Sequence, residues 1–448
     1  NLLNADLKGI NLSGLDLSYA NLSGASLIGA NLTGTNLSNV DLGGSVVDEA
    51  KLTGANLSNV DLNDSILVEA NLSNANLKNA NLKSSFLRDA NLNNTDLSNA
   101  NLHDIYLVSS GLINANLSGA NLTDSTLRMT ELKNADLTGA NLSDADLYKA
   151  KMENADLTGA NLSDASLYEA ILVNANLTGA DLSDVDMTGA NLTYLRAVNL
   201  QGCPVFLPTS WQCLGNILLG PYAKLVHVDL TDFDLSNLDL TGANLDGADV
   251  RDVNLSYTNL SGASLYKVYM VGTNLSNANL SGANLHEANL TNSDLTDANL
   301  AGIFSIMLRA IDLQGCPAVL PTSWQCIEEN LIGPEANLRY IDLYGADLKQ
   351  TNLTGANLSF ATLSRANLSG LDLVNVDLTN AYIDFADLRN SYLSGVNLTG
   401  AVLYNSNLSN AELSASVITD IQLDSADLKY VRAIGLTGCV DWILPTPF

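Results

Sequence analysis

The chain has 448 residues and a formal net charge of −28, from 48 acidic and 20 basic side chains. So acidic a surface repels phosphate backbones and excludes ordinary DNA or RNA binding. Aromatic residues make up only 6%, too few for an ordinary globular core, yet Leu and Ala recur at fixed places, which excludes disorder. No apolar run approaches the roughly 18 residues of a membrane span.

From Leu2 to Leu192 every fifth residue is Leu or a stand-in such as Val47, Met152 or Met187. A small residue, usually Ala, stands two places earlier, and Asn or Asp lies between. Ser or Thr follows, then Gly, Asn or Asp. A period of five fits neither an amphipathic helix nor a simple strand. Each unit must therefore turn a corner, where Gly, Asn and Asp tolerate the dihedrals required.

A second period tells how many corners close a turn. KNADLTGANLSDADLYKAKM (133–152) and ENADLTGANLSDASLYEAIL (153–172) match at 15 of 20 positions. The reading is all-β: a four-sided coil of four pentapeptides, stacked at an inter-strand spacing of about 4.8 Å. Leu137, Leu142, Leu147, Leu157, Leu162 and Leu167, with the alanines, point inward as ladders, and the other three positions point out. Stacking sets Lys133 under Glu153 and Lys149 under Glu169, inter-coil charge pairs worth about 0.2–1 kcal/mol each.

The pattern predicts three repeat blocks, 1–194, 225–307 and 338–429, the phase resuming at Leu225 and at Leu338. Two cassettes, 195–224 and 308–337, separate them, and 430–448 opens a third, incomplete one. The first two carry LQGCPVFLPTSWQC (200–213) and LQGCPAVLPTSWQC (313–326). Over 195–230 and 308–343 they align without gaps at 22 of 36 identities. Proline pairs, Pro204 with Pro208 and Pro317 with Pro321, argue against regular ladder pairing. Each cassette is thus predicted to leave the coil, fold back and re-enter at its Gly-Pro step, with Trp211 and Trp324 packed on the coils.

Two Cys stand ten apart in each cassette. A zinc site needs four ligands at close spacing, and of the three His only His227 lies near a cassette. Buried free thiols are a second reading. The constant spacing around a proline-rich loop favours disulfides Cys203–Cys213 and Cys316–Cys326, with Cys439 unpaired. Such links belong to an oxidising compartment. His103, His227 and His286 are scattered, and no catalytic, cofactor or metal motif appears. No enzyme activity, cofactor, metal or small-molecule substrate is expected.

ADLTG (135–139) and the recurring ANLSG match the consensus A(D/N)LXX. Over about five-sixths of its length the chain resembles the pentapeptide-repeat family. The resemblance implies a right-handed quadrilateral β-helix, here interrupted by two disulfide loop cassettes. The cassettes are also similar to an LPxxWxC…LxGPxAxL element of large secreted bacterial members, which implies export. Some family members mimic duplex DNA in width and charge and bind DNA gyrase. The acidic charge fits that alternative, but those proteins are shorter, cytosolic and dimerise through a C-terminal helix, which DWILPTPF cannot form. A non-enzymatic extracellular or cell-surface rod is the favoured reading, with a periplasmic or lumenal interaction scaffold sharing the same fold. NLLNADLKGI (1–10) aligns with NLRYIDLYGA (337–346), as though a cassette lay upstream, and the third cassette stops short of its second Cys. Both ends thus predict continuation of the same polypeptide or end-to-end self-association.

Overall fold

The computed structural model describes residues 1–438. It divides into two compact units, Asn1–Lys224 and Leu225–Phe448. Each is a right-handed, four-sided β-helix in which one pentapeptide makes one side. Parallel bridges join residues twenty apart, so Asp136 lies between Asn116 and Asp156, and the step recurs throughout both units.

One pentapeptide shows why the consensus folds this way. Asp136 N–H donates to Ala115 O of the coil below (2.9 Å), and Leu137 N–H donates to Asp156 O of the coil above (2.7 Å). The corner closes when Ala140 N–H donates to Leu137 O (3.0 Å). Gly139, third in that turn, has φ +63°, the positive value a type II turn demands there. Asn, Asp and Gly recur at this place because they reach positive φ most easily. The Asn or Asp before each Leu has a separate task. Its Oδ1 accepts the N–H two residues on, as Asn141 does from Ser143 (3.1 Å) and Asp136 from Thr138 (2.9 Å).

The core is the pair of inward positions. Leu137, Leu142, Leu147, Leu157, Leu162 and Leu167 are all completely buried, and the alanines beside them nearly so. At about 25 cal/mol per Å² of apolar surface removed from water, these ladders are the main cohesive force. Where Ser or Thr replaces an inward Ala, its hydroxyl is in most cases satisfied by main chain: Ser65 and Ser85 donate to Leu42 O (2.8 Å) and Leu62 O (2.7 Å), whereas Ser125 Oγ has no partner. The main-chain bonds avoid the cost of burying an unpaired hydroxyl.

Four short strands depart from the lattice, β1 (Gln212–Leu214), β2 (Ile217–Leu219), β3 (Gln325–Ile327) and β4 (Asn330–Ile332). They form two antiparallel hairpins, one per unit, with Cys213 opposite Leu218 and Cys326 opposite Leu331.

Candidate functional site

The cassettes keep more of the lattice than the prolines suggest. Arg196 and Phe206 still bridge to Asn176 and Asp186, as Arg309 and Val319 do to Asn289 and Asn299. Pro204 and Pro317 sit just before Val205 and Ala318, whose N–H groups donate to Val185 O (3.0 Å) and Ala298 O (2.9 Å). The prolines therefore stand where no donor is needed, and the expectation of a complete break at that point is corrected. The added residues come later. Tyr194 N–H reaches Tyr222 O and Lys224 N–H reaches Leu195 O, spans of 28 and 29 residues where a regular coil has 19 and 21. Met307 with Glu335 and Leu308 with Asn337 repeat those spans in the second unit. Each cassette is thus one coil enlarged by a hairpin.

Three devices hold the enlargement. First, Cys203 and Cys213 are disulfide-bonded with Cα atoms 6.0 Å apart, as are Cys316 and Cys326 at 6.1 Å. Each link ties the first strand of the hairpin to the preceding side of the coil. Second, Pro208 O accepts from Trp211 N–H and Pro321 O from Trp324 N–H (3.1 Å each). These turns aim each indole at the glycine of the Gly-Pro step. Trp324 is buried and Trp211 half-buried. A Cβ built on Gly220 would collide with the Trp211 ring, and one on Gly333 with the Trp324 ring. Only glycine lets the indole lie there. Third, the hairpin's second strand is buried: Ile217, Leu218 and Leu219 in one unit, Asn330, Leu331 and Ile332 in the other. Leu218 N–H donates to Ala197 O, and Leu331 N–H to Ala310 O.

The hairpin turns differ. Gly215 and Asn216 both have positive φ (49° and 69°), as do Glu328 and Glu329 (46° and 61°). Two positive values mark the type I′ turn that favours Asn and Gly. In the second hairpin the carboxylate residues carry that backbone, and Asn330 Nδ2 donates to Glu328 O (2.5 Å).

Outward charges stack at the twenty-residue step. Lys149 Nζ lies 3.1 Å from Glu169 Oε2. Tyr148 first, then Glu169, holds the Lys149 ammonium pKa above its ordinary value. Lys133 and Glu153 share a column but make no ion pair among the described residues. Glu153 Oε2 is buried without a hydrogen-bond partner. The cation near Glu153 is Lys151 of the adjacent column, whose pKa Glu153 helps to raise and which is itself bound to Glu131 at 2.7 Å. Lys267–Glu287 (3.3 Å) and Arg432–Glu412 (3.4 Å) obey the same step. Opposite charges twenty residues apart would have found all four of these pairs in the sequence, Lys151–Glu131 included.

The three histidines are dispersed. His103 Nδ1 lies 3.1 Å from Thr123 O, His286 Nε2 lies 3.4 Å from Glu287 Oε1, and His227 lies under Gly247. Among the described residues no group of three or more His, Cys, Asp or Glu could hold a metal ion. No helix there is long and apolar enough to cross a membrane. Cys439 and the remainder of the third cassette lie outside the described residues.

One side of the first unit differs from the other three. Its column of bridging residues runs Val46, Ile66, Phe86, Tyr106, and the column beside it includes Val68, Val108, Tyr148 and Tyr168. Ile66, Phe86, Tyr106 and Tyr168 are exposed. The other sides present mostly Asn, Asp, Ser and Thr, with asparagine ladders such as Asn56 Nδ2 to Asn36 Oδ1 (3.0 Å) and Asn101 to Asn81 (2.9 Å).

Comparison with known proteins matches the description "Pentapeptide repeats" to residues 5–44, 115–154, 155–193, 222–256, 234–270, 258–297, 335–370, 356–395 and 391–429. "Pentapeptide repeat region" matches 48–117. No curated protein matches the chain. Among solved structures, a trypsin-treated variant of QnrB1, a plasmid-mediated fluoroquinolone resistance protein, is 20% identical, over 42% of this chain and 91% of its own, with a TM-score of 0.26. HetL, involved in heterocyst differentiation regulation in the cyanobacterium Nostoc sp. strain PCC 7120, is 25% identical over 68% and 87%, with a TM-score of 0.17. Rfr23 of the cyanobacterium Cyanothece 51142 is 27% identical over 32% and 85%, with a TM-score of 0.14.

Proposed function

The chain belongs to the pentapeptide-repeat family, and from that premise we propose that it is a non-enzymatic structural solenoid of the cell surface or extracellular matrix. The pair of cassettes carries this reading. Each unit holds one disulfide in the same place of the same enlarged coil, and such links persist in oxidising surroundings. The outward side chains support it as well. Their carboxylates and amides are spent on turn hydrogen bonds and inter-coil ladders, as at Asp136 and Asn56. The reading extends to assembly: another coil, of the same polypeptide or of a second copy, would continue the ladder at an end. The test is maleimide labelling of the native protein taken directly from its source, with cell fractionation. Four blocked cysteines in a surface or matrix fraction are expected; free thiols at Cys203, Cys213, Cys316 and Cys326 overturn it.

The net charge of −28 favours a second reading, an acidic mimic of DNA that binds gyrase. Against it, acidity follows from Asp at the turn-capping position, where Asp136 and Asp186 accept N–H bonds from Thr138 and Thr188. A gyrase supercoiling assay separates the two. No inhibition is expected at micromolar protein, and inhibition would favour the mimic.

A further inference from the structure

We propose that each unit carries a binding site for an uncharged polysaccharide, built on a ring pair clamped by a lysine and a glutamate. A similar arrangement, Leu-ring-Lys below Leu-ring-Glu, appears in each unit: DLYKA (146–150) below SLYEA (166–170), and SLYKV (264–268) below NLHEA (284–288). In the first unit Tyr148 and Tyr168 stack with centroids 5.8 Å apart and planes at 21°. In the second, Tyr266 and His286 stack at 5.5 Å and 23°. Lys149 Nζ lies over Tyr148 at 5.0 Å and Lys267 Nζ over Tyr266 at 4.9 Å. Each lysine also grips the glutamate one coil on, at 3.1 and 3.3 Å. The clamp covers the lower ring and fixes the pair, leaving Tyr168 exposed.

A groove opens beside each pair. The first, of about 450 Å³, is also lined by Asp144, Asp146, Asp164, Ser166 and Asp186 and by Arg128. The second, of about 730 Å³, adds Asn284, Ser305, Phe304 and Ile306. Rings beside short polar side chains suit a sugar, whose C–H face packs on an aromatic surface while its hydroxyls meet carboxylates, amides and hydroxyls. A basic peptide would fit the acidic first groove but not the apolar second, so the chemistry common to both is the saccharide. Asp146 and Asp186 turn away polyanionic chains. Fixed rings lose little entropy on binding, which favours recognition at this small size.

Affinity electrophoresis of the whole chain tests this, in gels containing laminarin, hydroxyethylcellulose or galactomannan, with dextran sulfate and poly-lysine as charged probes. At least one neutral polymer should retard it. Y148A/Y168A and Y266A/H286A should each weaken retardation about tenfold, as loss of an aromatic anchor does. Y168F, which keeps the ring, should preserve it. These positions face outward, so thermal melts of the variants should match the parent, and binding lost with an unchanged melt supports the site. Retardation by none of the neutral polymers, equal retardation of parent and alanine variants, or preference for dextran sulfate or poly-lysine overturns the proposal.

Discussion

A regular coil such as 133–152 and an enlarged coil such as 308–337 occupy the same kind of lattice by different means. In the regular coil every side is held alike, by one buried Leu (Met152 on the fourth side), one buried Ala and one tight turn. Cohesion is spread evenly, and each coil depends on its neighbours, as in any repeat architecture. In the enlarged coil it gathers at a few places: a disulfide, an indole over a glycine, and one buried strand. Redundancy tolerates variation at any single outward position. A local lock tolerates almost none at its own residues, and LQGCP, LPTSWQC and the Gly-Pro step stand unchanged in both cassettes.

The largest effect should come from the regular lattice. Leu142 is fully buried, so Leu142→Asp strands a charge among the ladders and should cost about 4 kcal/mol or more. Ser143→Lys next to it should stay within about 0.5 kcal/mol. Thermal melts of the pair measure the contrast, and equal tolerance would contradict inward Leu. The lock comes next. Cys203→Ser with Cys213→Ser should cost about 2–3 kcal/mol, the loop entropy a short cross-link removes. Denaturant titration of that variant, beside the reduced parent, checks it; an unchanged midpoint would show that the hairpin holds without the link.

Gly220→Ala and Gly333→Ala strike the indole contact of the enlarged coils. Each adds a methyl into an indole and should cost about 2 kcal/mol, the usual penalty of overpacking. The same change at Gly139, in a regular turn, meets only its positive φ of 63°, and should cost about 1 kcal/mol. Melts that rank Gly139→Ala as the more damaging would remove the indole lock. Glu329→Gly compares one cassette with the other. Relieving a left-handed glutamate should stabilise the second unit by about 1 kcal/mol, read as a raised melting temperature. Lys149→Glu, which stacks like charges over Glu169, should give the smallest loss, under about 1 kcal/mol and diminished by salt. A loss that persists at molar salt would show that the lysine stem, not its charge, does the holding.

The repeat and the four-sided coil were legible in the sequence because position and environment coincide: every fifth residue meets the same interior, and every twentieth the same column. Leu137 and Leu142 could therefore be placed without coordinates, and Lys149 could be set beside Glu169. Lys133 and Glu153 show where that logic stops. Column sharing does not choose among competing cations, and Lys151 on the adjacent column comes near Glu153. The cassettes show it again. Their recurrence and cysteine spacing could be read from the chain. The continuation of the ladder past Pro204, the β1–β2 hairpin and the indole resting on Gly220 could not. These depend on which groups meet after the coil has closed, and a one-dimensional pattern carries no such information once its period is interrupted. The gathering of Ile66, Phe86, Tyr106 and Tyr168 on a single side belongs with them, since residues far apart in the chain share a surface only when the coils stack.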